Sequence, residues 1–334
     1  MRELVRTNNA VLITAIEALL KGAEIPHVVL DRHMSVLEGS LGILPRRILV
    51  DDEHQDDARK LLRDAGLAHE LRPLPPGQQE KDPDRTDDAV LGGRLKLTQK
   101  RRGHRVGHDA ILLAAVTGAR AGDRVVDLGA GVGAAGLALA MRVPDVTVTL
   151  VDIDAELTGI AFDNIVRNGL ETRARAVMLD VSAPADAFAA LGLGPGTADR
   201  VLMNPPFNDP SRQNVSPDPE RRVAHDAPAG TLAEWIGAAA RLLHSAGTLT
   251  LIWRAEGLAD VLAELGPRFG DIAVLPVHGK AGQPAIRVLV RASKGSRAPL
   301  TLLPALVLTG ADGRPTDEAE DVLRRAQALP LAEV

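Results

Sequence analysis

From residue 94 to the C-terminal end, apolar segments alternate with amphipathic ones, and this alternation constrains the fold more than any other feature. The apolar segments include "RVVDLG", "VTVTLVD", "RARAVMLD", "ADRVLMN" and "TLTLIWR", and the intervening ones include "ELTGIAFDNIVRNG" and "LAEWIGAAARLLHSAG". Apolar strands that are separated by amphipathic helices indicate a parallel sheet with helices on both faces. We therefore predict an α/β fold with a Rossmann-like sheet over residues 94–334, closed by a hairpin of the last two strands.

The N-terminal part of the chain has a different order of elements. Residues 1–72 show the pattern strand, helix, strand, strand, helix and strand, which predicts a small α+β domain of the ferredoxin-like type. Residues 73–93 include "PLPPGQQEKDPDRTDD", a stretch rich in proline and charge that has no periodicity and is typical of a linker. The sequence thus predicts two domains, 1–72 and 94–334, joined by this linker.

The composition excludes several classes of function. The chain has no cysteine, so disulfides, thiolate metal sites and cysteine nucleophiles are excluded. Its net charge of −5 argues against a protein that binds nucleic acid through charge alone. Glu17 interrupts the apolar N-terminal stretch, and no apolar run approaches the roughly 18 residues of a membrane span, so we predict no membrane association and a cytoplasmic location. His104 and His108 have helical spacing but no acidic third ligand beside them, so we predict no metal site.

The segment "VVDLGAGVGAAGLALA" has the pattern of a strand, a glycine loop and a helix, with Gly129, Gly131 and Gly133 in the loop. Such a loop serves dinucleotides as well as other cofactors, and Asp152, about 20 residues further on, suits a ribose hydroxyl. Asp127 favours a cationic cofactor over a dinucleotide, because a carboxylate in front of the loop would repel a pyrophosphate and attract a cation. We therefore predict S-adenosylmethionine rather than NAD, with an ordinary tight turn as the alternative.

Two further strand ends carry polar residues. Asp180 and the amide of Val181 follow "RARAVM", where they could recognise the edge of an adenine ring, although a helix cap would also explain Asp180. The next strand ends in "NPPF". Prolines donate no amide hydrogen bond, so Pro205 and Pro206 are expected just past the strand, where they hold Asn204 still.

The Asn-Pro-Pro corner suits methylation of a planar nitrogen. If the Asn204 side-chain oxygen and the Pro205 carbonyl accept hydrogen bonds from an NH2 group, the lone pair of that nitrogen is aimed at the methyl donor. Phe207 offers a face for stacking. A plain loop turn is the alternative. Methylation of a pyrimidine carbon by the usual covalent route is excluded, since it needs a cysteine.

Together, "DLGAGVGAAGL", "VDID", "LDV" and "NPPF" resemble the class I S-adenosylmethionine-dependent methyltransferases that act on amino groups. The upstream "QKRRGHRVGHDAILLAA" is similar to the segment before the cofactor loop in bacterial tRNA (adenine-N6) methyltransferases of the valine tRNA type. This resemblance implies a seven-stranded methyltransferase sheet, and it places Arg105 and Asp109 over the methionine part of the cofactor. His104, where an aromatic residue is usual, and the "ND" after "NPPF" depart from the family pattern. In the N-terminal domain, "MSVLEGSLGILPRRILV" is similar to a small bacterial domain described as signal-transducing.

The predicted function is methyl transfer to an exocyclic amine, with adenine N6 in tRNA or another structured RNA as the acceptor. Alternatives are methylation of a protein glutamine, methylation of guanine N2 in ribosomal RNA, and a non-catalytic cofactor-sensing scaffold. The basic run 96–108 would contact RNA phosphates or form a solvated loop. Residues 1–72 would dock RNA, dimerise or act independently. The predicted catalytic residues are Asn204, Pro205, Pro206 and Phe207, and the predicted cofactor-binding residues are Arg105, Asp109, Asp127, Gly129, Gly131, Gly133, Asp152, Ile153, Asp180 and Val181.

Overall fold

The computed structural model describes residues 1–7, 9–30, 46–67, 70–71, 84–101, 105–206, 230–266 and 268–332. The chain divides into two compact units, Met1–Asp82 and Pro83–Val334. Across the described residues, no helix has the length and apolar character that crossing a membrane requires.

In its described residues, the first unit has a small antiparallel sheet and two α-helices. Its elements are β1 (Arg2–Thr7), α1 (Ala10–Gly22), β2 (His27–Leu30), β3 (Arg46–Val50) and α2 (Gln55–Asp64). The strand order is β1-β3-β2, and an isolated antiparallel bridge joins Val5 to Leu71 on the other side of β1. This is the ferredoxin-like order, and the described part of the predicted last strand contributes that bridge. Asn9 is the N-cap of helix α1, and its side chain accepts hydrogen bonds from the amides of Val11 and Leu12.

This unit has a hydrophobic core of its own, because apolar residues of the sheet and both helices face each other. Its fully buried members include Leu4, Ile16, Leu20, Ile48 and Leu62. A separate core is what an independently packed domain requires.

The described residues of the second unit form the remaining α-helices and strands. Its first half consists of β4 (Arg85–Val90), β5 (Leu95–Lys100), α3 (His108–Val116), β6 (Arg124–Leu128), α4 (Ala134–Arg142), β7 (Thr147–Asp152), α5 (Ala155–Arg167), β8 (Ala174–Met178), α6 (Ala185–Ala190) and β9 (Ala198–Met203). Its second half consists of α7 (Thr231–Leu242), β10 (Leu243–Arg254), α8 (Leu258–Leu265), β11 (Phe269–Lys280), β12 (Ala285–Lys294), β13 (Thr301–Leu302), β14 (Leu306–Thr309) and α9 (Asp317–Arg325).

The hairpin β4–β5 corrects the predicted linker. We predicted residues 73–93 as linker, but strand β4 lies within that range and pairs along its whole length with β5. The sequence "RTDDAV" lacks the apolar pattern that predicts a strand, because its polar side chains form hydrogen bonds with the partner strand. Asp88, for instance, accepts a hydrogen bond from Gln99 Nε2 at 2.7 Å. Leu95 and Leu97 of β5 are fully buried and anchor the hairpin.

The main sheet has the strand order β13-β11-β12-β10-β9-β6-β7-β8, with β14 also paired to β11. Strand β12 is antiparallel to both of its neighbours, and the other pairs are parallel. The predicted seven-stranded Rossmann-like sheet runs from β8 to β11, and the short strands β13 and β14 extend it. Strand order reverses at β6, which lies between β7 and β9, so a crevice opens at the carboxyl ends of these strands.

Candidate active site

The carboxyl ends of β6, β7, β8 and β9 bring the predicted site residues to one edge of the sheet. Leu128 at the end of β6 pairs with Met203 at the end of β9, so Gly129 and Asn204 follow side by side. Asp152 at the end of β7 pairs with the last residue of β8. The four strand ends, which follow one another along the chain, therefore also lie close together in space.

The glycine loop follows β6 and adopts backbone angles that side chains rarely allow. The φ angles are 68° at Gly129, 55° at Gly131 and 87° at Gly133. A Cβ atom on Gly129 would lie 2.2 Å from Cη2 of Trp235, so this glycine also makes room for an indole ring of α7. A Cβ atom on Gly131 would meet nothing within 4 Å. The loop thus packs against the protein at Gly129 and faces open space at Gly131, where a ligand can approach the backbone.

Asp127 lies in β6 directly before the loop and is 2% exposed. Its Oδ2 accepts a hydrogen bond from the Gly136 amide at 2.8 Å. Burial raises the pKa of Asp127 to about 7, the charge of Asp152 adds to the rise, and the Gly136 hydrogen bond opposes it. The carboxyl group therefore braces the first turn of α4 as well as supplying potential negative charge.

Asp152 holds the loop from the neighbouring strand. Its Oδ2 accepts a hydrogen bond from the Gly131 amide at 2.7 Å, and its Oδ1 accepts one from the Asp154 amide at 2.9 Å. Burial is the main cause that raises the pKa of Asp152. The next residue, Ile153, is 65% exposed. An acceptor beside an exposed apolar side chain is an arrangement that can bind a ribose hydroxyl and one face of a base.

Asp180 and Val181 lie after β8. Asp180 is exposed, and its Oδ1 accepts a hydrogen bond from the Ser182 amide at 2.8 Å, whereas Val181 is buried. The capping residue of α6 is Pro184, so Asp180 closes a turn rather than capping that helix. The alternative that Asp180 caps a helix is therefore wrong.

Asn204 is the first residue after β9. Its side-chain Oδ1 is buried and has no hydrogen-bond partner in the part of the chain that the structure describes. Pro205 next to it is buried, and Phe207 lies outside the described residues. A buried acceptor without a partner costs roughly 1–3 kcal/mol, and such groups are uncommon in native proteins. The strand end thus presents an acceptor that is ready for a donor from a ligand.

The predicted residues Arg105 and Asp109 make ion pairs within the protein. Arg105 Nη2 lies 2.9 Å from Asp88 Oδ2, and Asp109 in the first turn of α3 accepts a hydrogen bond from Arg287 Nε at 3.0 Å. Arg287 is on β12 opposite Arg254, the last residue of β10, so the Asp109 pair lies at the same edge of the sheet as the glycine loop. Sequence reasoning missed Arg287, because nothing in its local pattern indicates a partner on α3.

Part of the basic run 96–108 is paired with acidic residues. Lys100 Nζ lies 2.7 Å from Glu156 Oε2, and Arg105 is paired with Asp88. Residues 102–104, including His104, lie outside the described residues. These acidic residues neutralise part of the positive charge that would otherwise attract RNA phosphates.

Residues 106–279, more than half of the chain, match the family model described as "Methyltransferase small domain". The chain belongs to this family of methyltransferases. The predicted fold class is confirmed, and S-adenosylmethionine is the methyl donor that the family and fold support. Residues 1–66 match a model described as "Putative prokaryotic signal transducing protein", as the resemblance of the first domain predicted.

Two methyltransferases of known sequence and one solved structure are similar to parts of this chain. A release factor glutamine methyltransferase of Chlorobaculum tepidum is 32% identical over 163 residues, 47% of this chain and 54% of the relative. A tRNA1(Val) (adenine(37)-N6)-methyltransferase of Bacteroides thetaiotaomicron is 29% identical over 149 residues, 44% of this chain and 59% of the relative. The chain thus spans little more than half of either protein. The crystal structure of a predicted O-methyltransferase from Agrobacterium tumefaciens matches with 31% identity and a TM-score of 0.56, over 66% of this chain and 97% of that one.

Proposed function

We propose that this protein transfers a methyl group from S-adenosylmethionine to the exocyclic N6 amine of an adenine in tRNA. The observation that carries the proposal is the buried and unpartnered Oδ1 of Asn204, which lies beside Gly129 at the start of the glycine loop. An exocyclic amine has two N–H donors, and such an acceptor is what it needs.

The site residues fit the cofactor. The open space at Gly131 lets a ligand approach the backbone, and Asp152 would accept a hydrogen bond from a ribose hydroxyl. The exposed side chain of Ile153 would cover one face of the adenine. Asp127, when ionised, would favour the positively charged methionine part. When bound, the cofactor supplies an electrophilic methyl group on a sulfonium.

The acceptor nitrogen is a weak nucleophile because its lone pair is delocalised into the ring. In the proposed mechanism, Asn204 Oδ1 and the Pro205 carbonyl accept hydrogen bonds from the two N–H groups of the amine. These two bonds orient the lone pair of the nitrogen toward the methyl group. Pro205 and Pro206 hold this corner rigid, since their φ angles are fixed. The nitrogen forms a bond to the methyl carbon as the carbon–sulfur bond breaks, and the methylated nitrogen then releases a proton to water.

An amine is a better match than a hydroxyl acceptor, although the structural relative from Agrobacterium tumefaciens is described as a predicted O-methyltransferase. A hydroxyl must lose its proton as it attacks and needs a general base. An asparagine amide accepts hydrogen bonds but is not a base at neutral pH. The Asn204 corner therefore supports transfer to nitrogen.

The second candidate is transfer to a glutamine side chain in a protein, which the similarity to a glutamine methyltransferase favours. The same corner would hold a carboxamide nitrogen. To separate the two, a cell extract depleted of this protein is incubated with the purified full-length chain and S-adenosylmethionine labelled in the methyl group. We expect the label in a macromolecular fraction that ribonuclease releases and protease does not. Label that only protease releases would favour the glutamine candidate.

The raised pKa of Asp127 predicts how stability depends on pH. Between its ordinary value of 3.8 and about 7, the folded protein holds a proton on Asp127 that the unfolded chain has released. This group therefore stabilises the fold fully below about pH 4 and loses that contribution as the pH rises to about 7. Asp127→Asn keeps an acceptor for the Gly136 amide but does not titrate.

The difference in Tm, variant minus wild type, is accordingly expected to rise by at least about 3 °C between pH 4.5 and pH 7.5. It is measured by calorimetry without cofactor, in buffers of equal ionic strength. A difference that stays constant over this range would show that Asp127 is ionised throughout.

A further inference from the structure

Asn164 is a fully buried polar residue in the last turn of α5, and it contacts two segments that are distant from it in sequence. Its Oδ1 accepts a hydrogen bond from the Thr98 amide at 2.7 Å, and its Nδ2 donates to the Thr98 carbonyl at 3.0 Å. The same Nδ2 donates to the carbonyl of Val132 at 3.0 Å. Thr98 belongs to β5, and Val132 lies in the glycine loop. One amide therefore joins the β4–β5 hairpin to the loop.

Asn168, one helical turn further on, makes a parallel set of bonds. Its Oδ1 accepts a hydrogen bond from the Lys96 amide at 3.0 Å, and its Nδ2 donates to the Lys96 carbonyl at 2.7 Å. The two asparagines thus hold alternate residues of β5 against α5. Asn168 bonds additionally to the carbonyl of Asn164, whereas Asn164 bonds additionally to the loop.

The Val132 carbonyl belongs to a residue with a glycine on either side. Both of these glycines, Gly131 and Gly133, have positive φ angles, which glycine adopts without the steric cost that a side chain would bring. A change at either glycine would turn the peptide groups of the loop, including the Gly131 amide that bonds to Asp152. The donor from Asn164 is buried, so water does not compete for it.

We propose that Asn164 is a positioning residue for the cofactor, which holds the glycine loop in its binding conformation and makes that conformation depend on the docked β4–β5 hairpin. The proposal rests on the proposed function only in taking S-adenosylmethionine as the ligand of the loop. It assigns a role to the hairpin, which precedes the matched methyltransferase segment 106–279.

The test compares Asn164→Ala with Asn168→Ala in the full-length chain. Both variants remove an asparagine that docks β5, but only the first removes the bond to Val132. We expect Asn164→Ala to raise the Kd for S-adenosylmethionine about tenfold and Asn168→Ala to raise it less than twofold, as measured by titration calorimetry. Equal effects of the two variants, or an unchanged Kd in Asn164→Ala, would overturn the proposal.

Hydrogen exchange separates positioning from a general loss of stability. Amides of residues 129–133 are expected to exchange faster in Asn164→Ala than in Asn168→Ala, while amides of the distant strand β12 exchange alike in both variants. Asn164→Asp is the second variant, because it has the same shape and still accepts from the Thr98 amide but loses the amide donor. We expect its Kd to rise as in Asn164→Ala, and a wild-type Kd in this variant would count against the proposal.

A measurement on the wild-type protein requires no variant to fold. Addition of S-adenosylmethionine is expected to slow amide exchange in β5 as well as in the glycine loop. Slower exchange in the loop alone would refute the coupling to the hairpin. Absence of cofactor binding by the wild-type protein would instead refute the proposed function, so the two failures are distinguishable.

Discussion

The variant Asn204→Ala is expected to lose methyl transfer almost completely, with a kcat lower by a factor on the order of 100 to 1,000, while it binds S-adenosylmethionine as the wild type does. The magnitude is that of removing one preorganised hydrogen-bonding group that acts at the reacting atom. The Asn204 Oδ1 has no hydrogen-bond partner among the described residues, so its removal takes away a buried unsatisfied acceptor. We therefore expect the Tm of the variant to equal or exceed that of the wild type.

The measurement is single-turnover transfer of a labelled methyl group, with calorimetry for the cofactor and for Tm. Asn204→Asp serves as the matched variant, because a carboxylate keeps an acceptor at the same position and should retain more activity than alanine. A kcat of Asn204→Ala within threefold of the wild type would contradict the proposed role of Asn204.

The variant Asp152→Ala is expected to weaken binding of S-adenosylmethionine by a factor on the order of 100. Two effects combine: the Gly131 amide loses its carboxylate partner at 2.7 Å, and a ribose hydroxyl loses a charge-assisted hydrogen bond. The ribose bond alone contributes roughly 1.5–3 kcal/mol, which corresponds to about 10- to 150-fold in Kd, and the loss of support for the loop adds to it. Titration calorimetry measures the change directly.

Asp154→Ala is the control for Asp152→Ala. Asp154 caps α5 by accepting hydrogen bonds from the amides of Glu156 and Leu157, and these bonds lie outside the glycine loop. Its loss should lower stability by about 1 kcal/mol and change the Kd for the cofactor less than threefold. Undiminished binding in Asp152→Ala, or tight binding of NAD by the wild type, would contradict the assignment of the cofactor.

The fold was predictable where burial dictates the pattern. Strands β6, β7 and β9 are buried on both faces, so they appear in the sequence as continuous apolar runs, and the polar residues after them mark the strand ends. Strand β4 was missed because it is polar, and only its pairing with β5 makes it a strand. Strands β13 and β14 were missed because two and four residues carry too little periodicity.

The site was predictable at positions that follow directly from chain order. Gly131, Asp152 and Asn204 lie at or just after the ends of β6, β7 and β9, and the parallel arrangement brings these ends together. Contacts between distant segments left no local signal, as for Arg287 with Asp109. Asn164 was detectable in part, since an asparagine inside a helix is unfavourable, whereas Asn168 follows the last helical residue, where asparagine is common.

Asp127 shows where a charge argument from sequence is incomplete. The sequence suggested a carboxylate that attracts a cationic cofactor. In the structure the group is buried, bonded to the Gly136 amide, and has a pKa of about 7. Its charge therefore depends on pH and on the cofactor, and its bond to α4 supports the loop in either state.

The most direct test of the proposed function is the identity of the methylated product. Unmodified tRNA is incubated with the full-length protein and S-adenosylmethionine, digested to nucleosides and analysed by mass spectrometry, with Asn204→Ala as the blank. The proposal predicts N6-methyladenosine in the wild-type reaction and, at equal early times, on the order of 100- to 1,000-fold less of it with Asn204→Ala. Methylation of guanosine at N2, or tRNA that stays unmodified in the wild-type reaction, would contradict it.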